Sequence, residues 1–439
     1  MKRNRSVIVP VVLVFWFFGC TSVSHYEKVD ARVVEGDFSG GLQVLESVKN
    51  TNYQSKDRVL FFLNAGMLSH YAGLHGMAIS LLSDAEIAIE EAFTKSISME
   101  VSTFLVNDNT REYAGEDYED IYLNVFKALA FYHQNSVESA LVEIRRVNNK
   151  LRYLSDKYGT AITNAQKAAI EQSGDVPAFN DGSGTVRFNN SALARYLGML
   201  FYRADGNRDS ARIDRNEVRL AFANQPSVYT FPVPSTLDGE LETPRGMARL
   251  NVVAFAGLSP IKTEDVSRIM LPSGNWIKFA LPVLQMRPSQ VQYAELLLSD
   301  GRQIRLELIE DMAAVAAETF RQNAAFIYFK SVMRAAAKTA ASAALGEQAR
   351  KTDGDAGALM LLASIGTQIY AEASEQADLR ISRYFPGKAL VTGIDLEPGN
   401  YDFSVDFYGQ GGRLVHRQVY HKQEIRSDRL NLVEALCIR

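Results

Sequence analysis

Residues 118–151 read YEDIYLNVFKALAFYHQNSVESALVEIRRVNNKL, and this stretch decides the fold. Apolar residues recur at helical spacing on both sides of a short polar turn, so the stretch predicts two amphipathic helices packed against each other. The turn is residues 133–136, where Ser136 can cap the second helix by accepting a backbone hydrogen bond. The two apolar stripes are Tyr118, Ile121, Tyr122, Val125, Leu129 and Tyr132, then Val137, Ala140, Leu141, Ile144, Val147 and Leu151. Such a hairpin cannot bury its own apolar face and needs neighbours to stack against.

Two earlier stretches repeat this arrangement less regularly. Residues 36–41, GDFSGG, precede an apolar helix and end in a glycine where close helix packing needs a small residue. Residues 60–82 repeat the arrangement with Ala78 at the small position, and Ala140 holds that position in the central hairpin. The copies are unequally spaced because an insertion, 94–117, precedes the last one. They predict a degenerate, tetratricopeptide-like α-solenoid.

The composition is that of a globular protein of two or three domains. The chain has 439 residues, of which 47% are hydrophobic and 22% charged, and its formal net charge is -4. This balance argues against a disordered chain and gives no electrostatic basis for binding nucleic acid. The two cysteines are Cys20 and Cys437, so no internal disulfide framework is expected if the first carries a lipid.

The N-terminus predicts export and lipid attachment. Basic residues within 2–5 precede an apolar run, 7–18, that is shorter than the roughly 20 residues needed to span a bilayer. Residues 17–20, FFGC, resemble the lipobox of bacterial lipoproteins, in which the cysteine is acylated after cleavage. Cys20 is therefore the predicted lipidation site. Ordinary cleavage near residues 22–24 would instead give a free periplasmic protein.

The sequence changes character after residue 225. Prolines crowd residues 226–245, and since proline fits neither a helix interior nor a central strand, we expect an extended linker there. Strand-length runs follow over 246–308, where Ser299-Asp300-Gly301 favours a hairpin turn. Residues 401–407, YDFSVDF, alternate apolar and polar side chains, which is typical of a half-buried antiparallel strand. These segments predict an Ig-like antiparallel β-sandwich.

An alanine-rich region, 309–381, separates the two strand-bearing segments and predicts a helical hairpin inserted into the sandwich. Its most apolar part, 356–371, is too short and too interrupted by polar residues to predict a membrane span, so a buried helix is expected and contact with a membrane surface is the alternative. The fold class is thus α+β. The predicted organisation is a signal peptide (1–19), a tether (20–30), the helical domain (31–225), the linker (226–245), a β segment (246–308), the hairpin (309–381) and a C-terminal β segment (382–439).

The sequence carries no convincing catalytic site. The six histidines contain no HExxH pair, so a metal site is not expected. Residues 259–262 match an SxxK pattern, but the order of elements around it does not fit the penicillin-binding fold. The acidic residues 116–120 are expected to start a helix. Arg145 and Arg146 are the candidate partner-binding residues, with a solvated helix face as the plainer alternative. We therefore predict no enzyme activity and no cofactor.

With both halves considered, the chain resembles a family of bacterial outer-membrane lipoproteins with a tetratricopeptide-like N-terminal half. The matching stretches are Gly115–Glu119 (GEDYE), Lys127–Tyr132 (KALAFY), Ala140–Asn148 (ALVEIRRVN), Lys278–Pro282 (KFALP) and Glu375–Arg380 (EQADLR). The resemblance implies an outer-membrane lipoprotein whose genes often neighbour those of other small lipoproteins, including relatives of the curli-secretion pore. It implies no catalytic residues.

These observations favour a non-enzymatic, outer-membrane-anchored periplasmic lipoprotein that acts as a protein–protein scaffold or assembly factor in an envelope complex. Its expected partners are other envelope lipoproteins or periplasmic proteins, bound in the concave helical face, and the membrane through the lipid. Thr21 replaces the aspartate that retains enteric lipoproteins in the inner membrane, which favours the outer membrane. The alternatives are a cell-wall enzyme and a membrane-remodelling or pore subunit that uses the 310–380 hairpin. Oligomeric state and exposure at the cell surface stay open.

Overall fold

The computed structural model describes residues 24–98, 109, 111–154, 187–270, 276–321, 323–324, 327, 347–348, 351 and 376–439. The predicted signal peptide, Cys20 and most of the predicted 309–381 hairpin lie outside these residues. Within them, helices fill the N-terminal half and sheets fill the C-terminal half, which confirms the mixed α and β character predicted from the sequence.

The helices follow the apolar stripes of the sequence. They are α1 (Ser24–Glu35), α2 (Phe38–Ser47), the short α3 (Lys49–Asn52), α4 (Arg58–Tyr71), α5 (His75–Ser98), α6 (Asp117–His133), α7 (137–154), α8 (Ala192–Ala204), α9 (Arg208–Asn224) and, after the sixth strand, α10 (312–321). The central hairpin is α6–α7, and its turn contains Asn135 at a φ of 59°, a conformation that asparagine tolerates. The Ser136 hydroxyl bonds to that of Ser139 (2.8 Å) instead of taking the predicted backbone hydrogen bond.

The strands form two four-stranded sheets and a separate hairpin. They are β1 (Ala248–Leu258), β2 (Ile261–Met270), β3 (Trp276–Gln285), β4 (Tyr293–Leu298), β5 (Gln303–Arg305), β6 (Glu307–Asp311), β7 (Pro386–Leu396), β8 (Gly399–Tyr408), β9 (Leu414–Ile425) and β10 (Asn431–Cys437). The first sheet has the order β10-β1-β7-β6, in which β1 and β10 run parallel and the other neighbours antiparallel. The second sheet, β5-β4-β8-β9, is antiparallel, and β2 pairs with β3. Strands from before and after the alanine-rich region therefore share both sheets.

The first sheet is the middle of three layers. Its central strand β1 is buried on both faces, because its near-continuous apolar sequence must be covered on both sides. Leu250 and Val252 pack with the second sheet, whereas Val253 and Phe255 pack with the helices. One apolar core thus runs between the helices and the first sheet, and a second core lies between the two sheets.

We expected the inner, concave face of the helices to be an open groove for a protein partner. The first sheet of the same chain covers this face instead. The ring of Phe126 on α6 lies 5.0 Å from that of Phe255 on β1, and the Tyr132 hydroxyl bonds to the backbone of Leu432 on β10. The expectation fails because the apolar stripe of α6 specifies burial without specifying the covering surface. The outer faces of the helices are what remains for a partner.

Two connections also differ from their predicted character. The predicted tether, 20–30, overlaps α1, whose residues Val29 and Val33 are buried in the core. The predicted extended linker, 226–245, contains a 3₁₀ turn at Ser235–Asp238 and buries Leu237 and Glu240. Both segments pack on the body of the protein because burying their apolar side chains and pairing their charged ones is more favourable than exposing them to water.

None of the described helices is long and apolar enough to cross a membrane.

Candidate functional site

The two candidate partner-binding arginines on α7 have different surroundings. The side chain of Arg145 is exposed. Arg146 places Nη1 2.8 Å from Oε2 of Glu86 on α5, so its guanidinium helps to hold the two helices together. Both arginines reach solvent, since the Arg146 side chain is 49% exposed, but only Arg146 also pairs with a carboxylate among the residues that the structure describes.

Glu86 is the centre of a buried ionic network between α5, α6 and α7. Its carboxylate lies 2.8 Å from Nζ of Lys127 and 3.0 Å from Nζ of Lys150, and it accepts a hydrogen bond from Asn124 at 2.9 Å. Burial alone would raise the pKa of Glu86, but the charges of Lys150 and Lys127 outweigh it and lower the pKa to about 2. Lys127 also pairs with Glu143 at 3.1 Å. The opposite charges of these glutamates and lysines compensate one another where the three helices pack together.

The outer face of α7 carries exposed apolar side chains beside Arg145. Val142 and Tyr153 are 38% and 73% exposed, and both recur with Arg145 at the spacing that defines one helix face. We call Val142, Arg145 and Tyr153 the α7 stripe. Tyrosine and arginine are the residue types enriched at the energetic centres of protein interfaces. The stripe is thus a candidate protein-binding surface.

A second cluster lies between the helix turns and the edge of the first sheet. The rings of His75 and His133 stack at 4.4 Å and 11°, and the ring of His70 lies 5.4 and 6.3 Å from them. The Glu434 carboxylate on β10 contacts Nε2 of His70 at 2.6 Å and Nε2 of His133 at 3.3 Å. The sequence suggested neither the cluster nor its contact with Glu434, which lies in the predicted C-terminal β segment.

Two groups at this histidine cluster, His75 and Glu434, have strongly shifted pKa values. Burial, then the charges of His133 and His70, lower the pKa of His75 to about 4. Burial opposes ionisation of Glu434, but the charge of His70 and hydrogen bonds from His133 and His70 hold the pKa of Glu434 well below its usual range. Stacked imidazoles do not direct their nitrogens to one point, and no group of three or more potential ligands within the described ranges is arranged to hold a metal ion. The cluster therefore acts as an ionic contact between two layers.

A buried carboxyl at the start of α6 joins one of the family-resembling stretches, 115–119, to the segment that follows another, 375–380. Glu119 accepts hydrogen bonds from the Tyr113 hydroxyl and the Glu116 backbone, both at 2.8 Å, and from the Ser382 backbone at 2.5 Å. Burial and the charge of Glu116 raise the pKa of Glu119 to about 7. A carboxyl with such a pKa suits acid–base chemistry, yet this one is fully buried and bonded within the fold. Through its hydrogen bond from Ser382, Glu119 attaches the segment after the alanine-rich region to α6.

The SxxK match is also accounted for by the fold. Ser259 is buried and lies 3.5 Å, oxygen to oxygen, from the Tyr118 hydroxyl. Lys262 forms a buried ion pair with Glu116. Burial would lower the pKa of Lys262, but the Glu116 carboxylate raises it, so the lysine stays protonated and is no general base.

Comparisons with known proteins identify no family for this chain. No protein-family model matches it, and no curated protein matches it significantly. Among solved structures, the crystal structure of MamA aligns with 44% of this chain and 94% of that chain, at 15% sequence identity and a TM-score of 0.20. A likeness at this TM-score supports no statement about fold or function.

Proposed function

We propose that this chain is a non-enzymatic lipoprotein, anchored in the outer membrane through Cys20 and facing the periplasm, that binds an envelope protein at the α7 stripe. The observation that carries the proposal is the exposure of Val142, Arg145 and Tyr153 on one helix face. Val142 and Tyr153 place apolar surface beside a cation that pairs with no carboxylate in the described part of the chain, and a partner with an acidic and apolar surface complements them.

The position of α1 supports an anchor close to the body of the protein. Residues 21–23 separate Cys20 from α1 and can span on the order of 10–14 Å. α1 is itself held by Asp30, which accepts from the Arg383 guanidinium at 2.5 Å and from the Tyr384 hydroxyl at 3.0 Å. A lipid on Cys20 would therefore keep the folded body near the membrane and raise its local concentration there.

We infer further that the helices are tetratricopeptide-like and that the sandwich is Ig-like. In support of the first, α4 and α5 form an antiparallel hairpin that approaches closely at a small residue, Gly66, beside Leu82. In support of the second, the two sheets enclose one apolar core made by alternating inward residues, such as Leu296, Val405 and Phe407.

Site-specific photo-crosslinking in cells tests the partner surface. A photoreactive phenylalanine analogue at Val142 is expected to give a discrete adduct, while the same group at Ile213, which is 60% exposed on α9, gives none. The adduct should weaken with Arg145→Glu and persist with Arg212→Glu, an equally solvent-facing arginine on α9. Equal adducts at both positions, or indifference to Arg145→Glu, would remove the α7 stripe as the binding surface.

Membrane fractionation tests the anchor separately. The wild type is expected in the outer-membrane fraction and Cys20→Ala in the soluble periplasm, with the Val142 adduct reduced because the local concentration falls. Recovery of Cys20→Ala in the outer membrane would contradict the lipid anchor. Co-purification of glycan fragments without any protein adduct would favour the cell-wall enzyme instead.

A further inference from the structure

A groove of about 670 Å³ opens at the edge of the sandwich, where the chain passes from β5 in the second sheet to β6 in the first. Its apolar wall includes Phe231, Ile304 and Leu390, and its polar wall includes Tyr293 and Arg305. The volume lies within the range of small-ligand sites, which combine an apolar lining with a few polar groups that fix orientation.

The other charged side chains that line the groove, Arg249 and Glu307, are engaged by partners within the fold. Arg249 pairs with Glu240 at 2.9 Å and with Asp395 at 3.0 Å. Glu307 accepts hydrogen bonds from the Ser235 hydroxyl at 2.9 Å and from the Thr236 backbone at 3.3 Å. The charge of Arg249 is thus compensated by two carboxylates, whereas Glu307 keeps its charge and is held by neutral donors from the segment before β1.

Arg305 differs from them. Its guanidinium lies 4.2 Å over the ring of Tyr293, which stacks at 5.0 Å and 21° on Tyr408. Glu295 is its cross-strand neighbour in the β4–β5 register, yet within the described part of the chain no carboxylate lies at ion-pair distance from Arg305. The aromatic pair holds the guanidinium in place and leaves its N–H donors available.

We propose that this groove binds a carboxylate carried on a small apolar body. The carboxylate pairs with Arg305, whose fork of donors matches two carboxylate oxygens, and the apolar body packs on Phe231, Ile304 and Leu390. Two sources supply this chemistry: the C-terminus of a peptide and a free short-chain acid. The groove is remote in sequence from the α7 stripe, and its occupancy does not depend on the proposed scaffold function.

Calorimetric titration of the Cys20→Ala chain, which cannot carry the lipid, tests the proposal with N-acetyl-leucine and hexanoate as probes and N-acetyl-leucinamide as the uncharged counterpart. A carboxylate probe is expected to bind at least about tenfold more tightly than the amide, because a charge-assisted pair is lost. Tighter binding of N-acetyl-leucine assigns the groove to peptide C-termini, and tighter binding of hexanoate assigns it to small acids.

Two substitutions of Arg305 test whether this residue binds the carboxylate. Arg305→Gln is expected to lower carboxylate affinity by about tenfold or more, and Arg305→Lys by less, since the charge remains but the fork is lost. Arg302→Gln is the matched control, because Arg302 lies in the turn just before β5 and pairs with Asp300. Undiminished binding by a folded Arg305→Gln, equal binding of acid and amide, or no binding of either acid overturns the proposal.

Discussion

Nε2 of His70 lies 2.6 Å from Oε1 of Glu434, although the two residues are 364 positions apart in the chain. The contact joins the end of α4 to the last strand of the first sheet, and His133 at the end of α6 shares the same carboxylate. The two helical hairpins are thus tied to the sheet by one acidic side chain. Because His75 stacks on His133, protonation of the cluster places like charges at the interface between layers.

The first prediction concerns acid sensitivity. The pKa of His75 is about 4 in the folded chain against about 6.5 when unfolded, so its contribution to stability is complete above pH 6.5 and is lost as the pH falls toward 4. Glu434, whose folded pKa is lowered, adds stability above its ordinary pKa of about 4.3 that is lost at still lower pH. His75→Gln should remove about 1 kcal/mol of the pH dependence between pH 7 and 4.5, after allowance for solvent screening.

Urea denaturation at several pH values measures this dependence. His421→Gln is the control, since the His421 side chain is 79% exposed and lies outside the cluster. The control should keep the wild-type slope of unfolding free energy against pH. An unchanged slope in His75→Gln would show that His75 is not the group that titrates.

The second prediction concerns Glu310, a buried carboxylate that joins three segments to β6. It accepts hydrogen bonds from the hydroxyls of Tyr122, Tyr229 and Ser191 and from the backbone of Leu193. Glu310→Ala leaves these donors buried without an acceptor and should cost about 3–5 kcal/mol of unfolding free energy.

Chemical denaturation checks this value against two further variants. Glu310→Gln keeps the volume and one acceptor, so its loss should be smaller. Glu242→Ala changes a glutamate whose side chain is 75% exposed and should stay within about 0.5 kcal/mol of wild type. A loss below 1 kcal/mol in Glu310→Ala would contradict the structural role of this carboxylate.

The third prediction concerns the close approach of α4 and α5. A Cβ at Gly66 would lie 2.7 Å from Cδ2 of Leu82 and 3.4 Å from the Leu82 backbone nitrogen. Gly66→Ala should therefore cost about 1–3 kcal/mol despite the better helix propensity of alanine. Gly41→Ala places its Cβ 3.3 Å from Val33 and should be nearly neutral. Thermal unfolding of both variants tests whether Gly66→Ala is the less stable of the two. A Gly66→Ala variant more stable than Gly41→Ala would contradict the prediction.

The fourth prediction separates the two arginines of α7. Arg146→Glu brings a carboxylate against Glu86 and should destabilise the fold by about 1–3 kcal/mol, because the network loses a cation and gains a like charge. Arg145→Glu changes an exposed side chain and should shift the unfolding free energy by no more than about 0.5 kcal/mol. Denaturation midpoints measure both, and equal losses would mean that the two side chains share one environment.

The fifth prediction concerns α1. Asp30→Ala removes the acceptor of Arg383 and Tyr384 and should loosen α1 by about 1–3 kcal/mol. Trypsin should then cut at Arg32 faster than in wild type, since local opening exposes the backbone. Glu27→Ala, at an exposed position of the same helix, should leave the rate unchanged. Equal cleavage rates in all three proteins would show that Asp30 does not hold the helix.

The central hairpin shows what could be predicted from sequence. The apolar stripe beginning at Tyr118 and the polar turn at residues 133–136 predict the limits of α6 and the start of α7 within one or two residues. The alternation over 401–407 likewise predicts most of β8. These predictions hold because helix and strand periods, turns and caps depend on residues only a few positions apart.

The candidate sites could not be predicted in the same way. Arg145 and Arg146 are adjacent in sequence and both reach solvent, yet only Arg146 pairs with Glu86 on another helix. The pairing of His70 and His133 with Glu434 and the stacking of Arg305 on Tyr293 each depend on which elements become neighbours. No local pattern encodes such neighbours.

The sequence by itself determined the two helices of the central hairpin and the strand at 401–407, and which of their faces must leave water. The tertiary structure alone decided that the first sheet fills the inner face of the helices, as Phe126 on Phe255 shows, and that the outer face of α7 stays open. The physical reason is that the hydrophobic effect is non-directional. It requires an apolar stripe to be covered, and the packing of the whole chain selects the surface that covers it.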